Sequence, residues 1–126
     1  MSVVKANTYL AASGSPTEEP SIPALDQRMA KAWVNFNGTG TVAIRDSYKV
    51  SSVTDNGTGN YIINFAVAMN NTNYALFDGF TGGAGNVLSG YSSVYHTTTS
   101  CRLEARRTDT WNPVDAPAAQ AAIFGN

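Results

Sequence analysis

His96 is the only histidine in this sequence of 126 residues, and it is the natural place to begin a search for catalysis. A nucleophilic hydrolase would need this imidazole beside a hydroxyl group and an orienting carboxylate. Thr97 and Ser100 are close in sequence, but serine and threonine are so abundant that proximity singles out neither. We therefore interpret His96 as a polar loop residue without a catalytic role.

Carboxylates offer no better basis for an enzyme. Hydrolysis of a glycosidic bond requires two carboxyl groups across a cleft, and a calcium loop requires repeated acids with a distal bidentate Glu. The available carboxylates lack such a sequence context: Asp46, Asp55, Asp78, Glu104, Asp109 and Asp115. Cys101, the single cysteine, can form neither an internal disulfide nor a Cys/His zinc site. The sequence thus predicts a protein that is not an enzyme and uses no metal or other cofactor.

Charge argues against further classes of function. Eight basic and nine acidic residues give a net charge of −1, which provides no attraction to nucleic acid or to anionic lipid. No apolar stretch approaches the length of about 18 residues that a membrane-spanning helix needs. We therefore expect neither nucleic-acid binding nor membrane insertion. Only 13% of the residues are charged. Because the net charge is also close to zero, copies of the chain repel one another only weakly, which favours self-association.

The elements that position any binding residue are predicted to be β-strands, because apolar and polar residues alternate with a period of two along much of the chain. Trp33 and Asn35, for example, lie on the face opposite to Phe36. The tetrapeptide Asn-Gly-Thr-Gly occurs at residues 37–40 and again at residues 56–59, each time between two such segments. Because Asn-Gly favours tight turns, two hairpins are predicted.

Further strands follow the second hairpin turn. In residues 61–69 the odd-numbered side chains are all large and apolar, so we expect this face to enter the core. Arg102, Glu104 and Arg106 share one face of a later strand, which we interpret as a solvated or edge-protecting ladder of charges. The later strands are predicted at residues 74–80, 87–95, 101–108 and 119–124.

Eight to ten short strands with almost no helix predict an all-β protein, an antiparallel β-sandwich of jelly-roll-like arrangement. A small β-barrel is the alternative. We assign residues 31–126 to this domain and residues 1–30 to a short N-terminal arm. The arm should hold a strand over residues 3–10, a linker poor in core-forming side chains and a short helix over residues 21–31.

Aromatic residues in the downstream loops are candidates for binding. Ring faces beside amide and carboxylate groups can hold a sugar ring or a protein loop. Five glycines from Gly79 to Gly90 free the backbone there, so that nearby aromatic residues such as Phe77 can be displayed. We place a reversible contact surface in residues 77–98 and 108–117. Its candidate receptor-binding residues are Asp78, Phe80, Asn86, Tyr91, Tyr95, His96, Trp111 and Asn112.

The chain resembles a known family at residues 31–48, KAWVNFNGTGTVAIRDSY: this segment is similar to the carboxy-terminal module of phage and prophage tail fibre proteins. The resemblance continues through residues 50–59, VSSVTDNGTG, and spans about three-quarters of the chain. Shorter matching pieces are Asn64-Phe65, Ala68-Met69, Asn73-Tyr74-Ala75 and Ala122-Ile123-Phe124-Gly125. This resemblance implies a β-rich virion component, commonly trimeric, at a fibre tip that contacts the host.

The function implied is that of a tail fibre or fibre-tip protein that binds the host cell surface without catalysis. The expected partners are copies of the same chain in a homotrimer and a host-surface glycan or protein. Family modules usually end a longer fibre, whereas 30 residues precede the matching segment here. The alternative is therefore a small capsid-decoration or baseplate attachment protein, anchored to other virion proteins by its N-terminal arm. In both cases we expect production in the bacterial host cytoplasm and localisation in the virion.

Overall fold

The computed structural model describes residues 13, 25, 27–82, 88–91 and 95–125. The strand predicted at residues 3–10 and most of the helix predicted at residues 21–31 lie outside this part of the chain. Near the end of that predicted helix, the backbone N–H groups of Arg28 and Met29 donate to the carbonyl oxygen of Leu25 at 2.8 and 3.1 Å, which closes a turn. From residue 32 onward the described elements are all strands, as predicted.

The described residues form eight short strands that lie at or near the predicted segments. Their bounds are β1 Ala32–Asn37, β2 Ala43–Tyr48, β3 Val50–Asp55, β4 Asn60–Phe65, β5 Ala75–Thr81, β6 Leu88–Tyr91, β7 Ser100–Arg107 and β8 Ala118–Phe124. These strands form two four-stranded sheets in which every neighbouring pair is antiparallel.

Sheet A has the strand order β2-β1-β8-β5, and sheet B has the order β3-β4-β7-β6. The chain passes between the sheets four times, in the connections β2–β3, β4–β5, β5–β6 and β7–β8. The two sheets pack face to face and are not closed into a barrel. The predicted β-sandwich is therefore confirmed, and the barrel alternative is wrong.

Both Asn-Gly-Thr-Gly segments form the predicted hairpin turns, between β1 and β2 and between β3 and β4. In the first turn, Asn37 Oδ1 accepts hydrogen bonds from the backbone N–H and the hydroxyl of Thr39, at 3.0 and 2.6 Å. In the second turn, Gly57 and Gly59 have φ values of 117° and 64°, which favour glycine. A Cβ atom on Gly59 would also collide with the backbone of Ala105. The repeated tetrapeptide thus marks two turns that need its glycines.

The core lies between the sheets. On β4 the residues Tyr61, Ile63 and Phe65 are buried, as the period of two predicts. The same pattern places Val67 in the core, but this prediction is wrong: Val67 is 56% exposed, because β4 ends at Phe65 and the alternation ends with the strand. The largest fully buried side chains are Tyr61, Phe36, Ile63, Leu103, Ile123, Val34 and Cys101.

Tyr61 joins three loops at one end of the sandwich. Its hydroxyl donates to the carbonyl oxygen of Gly38 at 3.0 Å and accepts from the backbone N–H of Ala116 at 3.1 Å. The same hydroxyl lies 3.3 Å from Asp115 Oδ1, which accepts the backbone N–H of Gly59 at 2.8 Å. Burial raises the pKa of Tyr61 to about 12. A neutral hydroxyl therefore holds both hairpin turns to the β7–β8 connection.

The charged residues of β7 lie in the middle of a sheet and not at its edge. Arg102, Glu104 and Arg106 belong to a strand that lies between β4 and β6, so they do not protect an edge. Glu104 is only 9% exposed. Its carboxylate lies 3.9 Å from Arg102 Nη1 and 3.3 Å from Arg106 Nη2. The ladder is a half-buried ion-pair cluster in the middle of sheet B.

Candidate functional site

A groove crosses the outer face of sheet A, and we call it the Trp33–Phe77 groove after the side chains that form its walls. Trp33 of β1 and Phe77 of β5 are each paired with Ala122 of β8, so the three residues form one row across the sheet. Trp33 is 36% exposed and Phe77 is 62% exposed. The groove has a volume of about 470 Å³. Two aromatic walls thus flank a floor made by a methyl group.

The alternation of β8 produces this shape. Ala121 and Ile123 enter the core, so the intervening Ala122 faces outward. Neighbouring strands lie about 4.8 Å apart, so the backbones of Trp33 and Phe77, on either side of β8, are about 10 Å apart. Because Ala122 is small, it leaves the space between the two rings open.

Neutral amide groups line one side of the groove. The next row across sheet A consists of Asn35, Gln120 and Gly79. Arg45 donates from Nη1 to Asn35 Oδ1 at 3.4 Å, which leaves the NH₂ group of Asn35 directed to other acceptors. Gly79 has no side chain, and a Cβ atom there would lie in ordinary contact with Gln120, 3.6 Å from its Cγ. The groove is therefore aromatic along one row and polar but uncharged along the next.

Asp78 borders the groove, but its side chain follows the other face of β5. It is paired with Ala121, which faces the core. The carboxyl group of Asp78 packs against Gly90 of β6, where a Cβ atom would collide with it. Burial of this carboxyl group raises the pKa of Asp78. This predicted binding residue thus lies at the edge between the two sheets.

Tyr95 and His96, also predicted to bind, lie beside the first residues of β7. The guanidinium of Arg102 is 4.8 Å from the centroid of the Tyr95 ring, and Tyr95 is 48% exposed. His96 stacks on the buried Tyr74, with ring centroids 4.8 Å apart and an interplanar angle of 18°. Its backbone is bridged to Cys101. His96 therefore packs at the margin of the core.

Trp111 and Asn112 lie in the turn that follows β7. Trp111 is 50% exposed and has a φ of 61°. The carbonyl oxygen of Trp111 accepts from Arg106 Nη1 at 3.1 Å, and that of Asn112 accepts from the backbone N–H of Arg107 at 2.9 Å. Arg107 also binds Asp109 at 2.7 Å, and this hydrogen bond lowers the pKa of Asp109. The turn is thus held by both arginines at the end of β7.

The remaining predicted residues are Phe80, Asn86 and Tyr91. Phe80 is partly buried and packs against the core. Asn86 lies outside the described residues, and only the backbone of Tyr91, in β6, is described. Phe80 is not among the residues that line the Trp33–Phe77 groove.

Tyr95 and Trp111 each contact an arginine of β7: the Tyr95 ring lies over the Arg102 guanidinium, and the Trp111 carbonyl oxygen accepts from Arg106 Nη1. Both arginines lie against Glu104. The Trp33–Phe77 groove lies on the other sheet, so the structure offers a second candidate surface apart from the predicted loops. Sequence reasoning did not single out Trp33 as a candidate, although the period of two places its side chain on the outer face.

The side chains that form the groove are suited to reversible binding. They are aromatic rings, a methyl group and amides, which act by contact and by neutral hydrogen bonds. Among the described residues, no group of three or more His, Cys, Asp or Glu side chains could hold a metal ion. Within the same part of the chain, no helix is long and apolar enough to cross a membrane.

No family model, curated protein or solved structure matches this chain. Its function must therefore be inferred from the arrangement of its own residues. Among the described residues, exposed aromatic rings and amide groups meet in a concave surface, the Trp33–Phe77 groove.

Proposed function

We propose that this chain is a non-enzymatic phage virion protein, a tail fibre or fibre-tip domain that binds the host cell surface. The similarity of residues 31–48 to tail fibre modules supports the virion role, and the all-β fold agrees with the β-rich component which that similarity implies. The observation that carries the binding role is the Trp33–Phe77 groove. Trp33 and Asn35, which line it, both belong to the matching segment.

Adhesion suits this groove better than catalysis does. Amide side chains do not serve as general acids or bases near neutral pH. A glycosidase would need two carboxyl groups across the cleft, whereas the described side-chain walls are Trp33, Asn35, Phe77, Gln120 and Ala122. Contact and hydrogen bonding would hold a surface ligand without changing it.

The homotrimer and the location on the particle surface belong to the same proposal. Outside the groove, the described surface exposes Ile44 at 38%, Val67 at 56% and Met29 at 59%, and contacts between copies in a trimer would cover such side chains. Several copies would raise the effective concentration of the remaining grooves once one has bound. Sedimentation of the purified protein should show one species of three times the monomer mass. A monomer at micromolar concentration would contradict the trimer.

Adsorption of the labelled, purified protein to a panel of bacterial strains tests the adhesion proposal. We expect the parent protein to bind one or more strains and to compete there with the phage particle. Trp33→Ala should weaken this binding by about tenfold or more, since tryptophans in a contact surface contribute strongly. Trp111→Ala is the matched variant, because it also removes an exposed tryptophan but lies in the turn after β7.

The outcomes separate the proposed roles. Loss of adsorption in Trp33→Ala alone supports adhesion through the groove. Loss in Trp111→Ala alone moves the contact surface to the loops predicted from sequence. A parent protein that binds a capsid or tail protein but no cells would favour the decoration or baseplate alternative, and deletion of residues 1–20 should then abolish its incorporation into particles.

A further inference from the structure

Building on the proposed function, we infer that the Trp33–Phe77 groove binds a neutral six-membered sugar ring of a bacterial surface glycan between its two aromatic walls. The backbones of β1 and β5, which carry the two aromatic walls, are about 10 Å apart. A ring that touches an aromatic face on each side needs about 7–8 Å, which is two carbon contacts of about 3.5–4.0 Å. A groove between backbones at this spacing has room for one sugar ring and is narrower than a helix, which is about 10–12 Å across with its side chains.

The Phe77 wall of the Trp33–Phe77 groove is held in place before any ligand binds. The Phe77 ring meets the Phe124 ring edge to face, with centroids 5.8 Å apart and an interplanar angle of 85°. Such a contact limits the orientations of an exposed phenyl group. A wall that is already ordered loses less conformational entropy when the ligand arrives.

The polar row explains why the ring should be a sugar. Sugar hydroxyl groups both donate and accept hydrogen bonds, and the amides of Asn35 and Gln120 do the same. Arg45 donates to Asn35 Oδ1 and, from Nη2, to the carbonyl oxygen of Pro117 at 2.7 Å. The Asn35 amide thereby has a defined orientation, with its NH₂ group available to a ligand hydroxyl.

The charges at the margin favour a neutral sugar over an acidic one. Arg45 and Asp46 are neighbours on β2, and Asp46 is paired with Asn35 across the sheet. Their opposite charges offset each other at the side of the groove. The described side chains of the groove walls are uncharged, so a uronic acid or a phosphate group held between the two rings would lose its hydration without an ionic partner in the walls.

Gly79 leaves one end of the polar row open. Because it has no side chain, a second sugar unit can pass over β5 beside Gln120. Gly79→Leu would fill this space, and its Cβ atom would meet only the side chain of Gln120 at an ordinary distance. Thr81→Leu is the matched control: it places the same side chain on the same face of β5, two residues farther along.

Binding of the purified protein to an array of neutral and acidic bacterial surface oligosaccharides tests the inference. Saturation-transfer NMR with the methyl glycosides of glucose, galactose, mannose and rhamnose tests the single ring, for which a dissociation constant of about 1 mM is expected. The parent protein and Thr81→Leu should bind neutral glycans alike. Gly79→Leu should bind the oligosaccharide about tenfold more weakly. Asn35→Ala, which adds no bulk to the groove, should also weaken binding of the oligosaccharide. This variant tests the inference in the event that Gly79→Leu fails to fold.

Several results would overturn the inference and leave the proposed function intact. These are equal glycan binding by Gly79→Leu and Thr81→Leu, binding to acidic glycans only, and adsorption to cells without binding to any glycan. A changed sedimentation mass in Gly79→Leu would instead identify the groove as an interface between copies of this chain. A parent protein that binds neither cells nor glycans would contradict the proposed function itself.

Discussion

The two outer faces of the sandwich differ in how they use their polar groups. On sheet B, Asn64 Nδ2 donates to Ser52 Oγ at 3.0 Å and to Thr54 Oγ1 at 2.9 Å. Glu104 lies between two arginines on the same face. On sheet A, the Trp33–Phe77 groove has two partly exposed aromatic rings beside a row of amides. The groups of sheet B bind one another, whereas sheet A keeps apolar surface exposed.

This difference indicates where binding energy is available. A ligand on sheet B would have to replace hydrogen bonds and ion pairs that already exist, with little net gain. A ligand in the groove of sheet A would remove aromatic surface from water, at about 25 cal/mol per Å² of apolar area. We therefore expect substitutions on sheet B to change stability and substitutions on sheet A to change binding.

Removal of Glu104 should have the largest effect on sheet B. Glu104→Ala leaves Arg102 and Arg106 facing each other with like charges in a half-buried position. We expect the free energy of unfolding, measured in urea, to fall by about 2 kcal/mol. Glu104→Gln keeps the shape and one acceptor, and it should lose about half as much. A change below about 0.5 kcal/mol in Glu104→Ala would show that this cluster does not support the sheet.

Truncation of Phe77 should give the opposite pattern. Because Phe77 is 62% exposed, Phe77→Ala should change the free energy of unfolding by less than about 1 kcal/mol. Its adsorption to bacterial cells should weaken by about tenfold, equivalent to about 1.4 kcal/mol. Urea unfolding and cell adsorption measured on the same preparation check both numbers. Unchanged adsorption would remove Phe77 from the binding surface.

Much of the fold could be predicted from local sequence, because its signals are local. The Asn-Gly-Thr-Gly turns set both hairpins, and the alternation around Phe36 and Ile63 showed which faces enter the core. Where a strand ended, the inference failed: nothing in the sequence indicates that β4 stops before Val67. Strand order could not be predicted from local sequence either. One interpretation therefore placed the charges of β7 at a sheet edge, whereas they lie in the middle of a sheet.

The candidate binding groove was harder to predict for the same reason. Trp33 and Phe77 become neighbours only because β8, from the end of the chain, inserts between β1 and β5. No local pattern reports that insertion. The sequence did indicate that Trp33 faces outward and that Phe77 is exposed, but their shared groove depends on Ala122, which has no chemical signature of its own.

A neutral hydrogen bond on sheet B should have a smaller effect. Thr54→Val removes the hydroxyl that accepts from Asn64 Nδ2 at 2.9 Å. We expect a loss of about 0.5 kcal/mol in the free energy of unfolding, because the amide is exposed and can bind water instead. Cell adsorption should be unchanged. Weakened adsorption in Thr54→Val would indicate that sheet B also contacts the ligand.

Two carboxyl groups give the smallest effects, with opposite signs. Burial raises the pKa of Asp78 above its ordinary value of 3.8. The Asp78 carboxyl group therefore favours the fold most below pH 3.8, where it is protonated, and this contribution is lost as the pH rises through the raised pKa. The gain in the free energy of unfolding that Asp78→Asn gives over the parent protein should therefore be larger at pH 7 than at pH 3. The pKa of Asp109 is lowered by Arg107, so Asp109 stabilises the fold above pH 3.8 and Asp109→Asn should destabilise it at pH 7. Urea midpoints measured across this pH range check both signs, and equal signs would contradict the assignment.

NMR mapping of a bound ligand tests the difference between the faces most directly. Solubilised surface polysaccharide, from a strain to which the parent protein adsorbs, would be added to ¹⁵N-labelled protein. We predict that the amide signals that shift most belong to Trp33, Asn35, Phe77, Gln120 and Ala122, on the outer face of sheet A. Shifts confined to residues around Tyr95 and Trp111, with these five unchanged, would contradict the groove as the binding site.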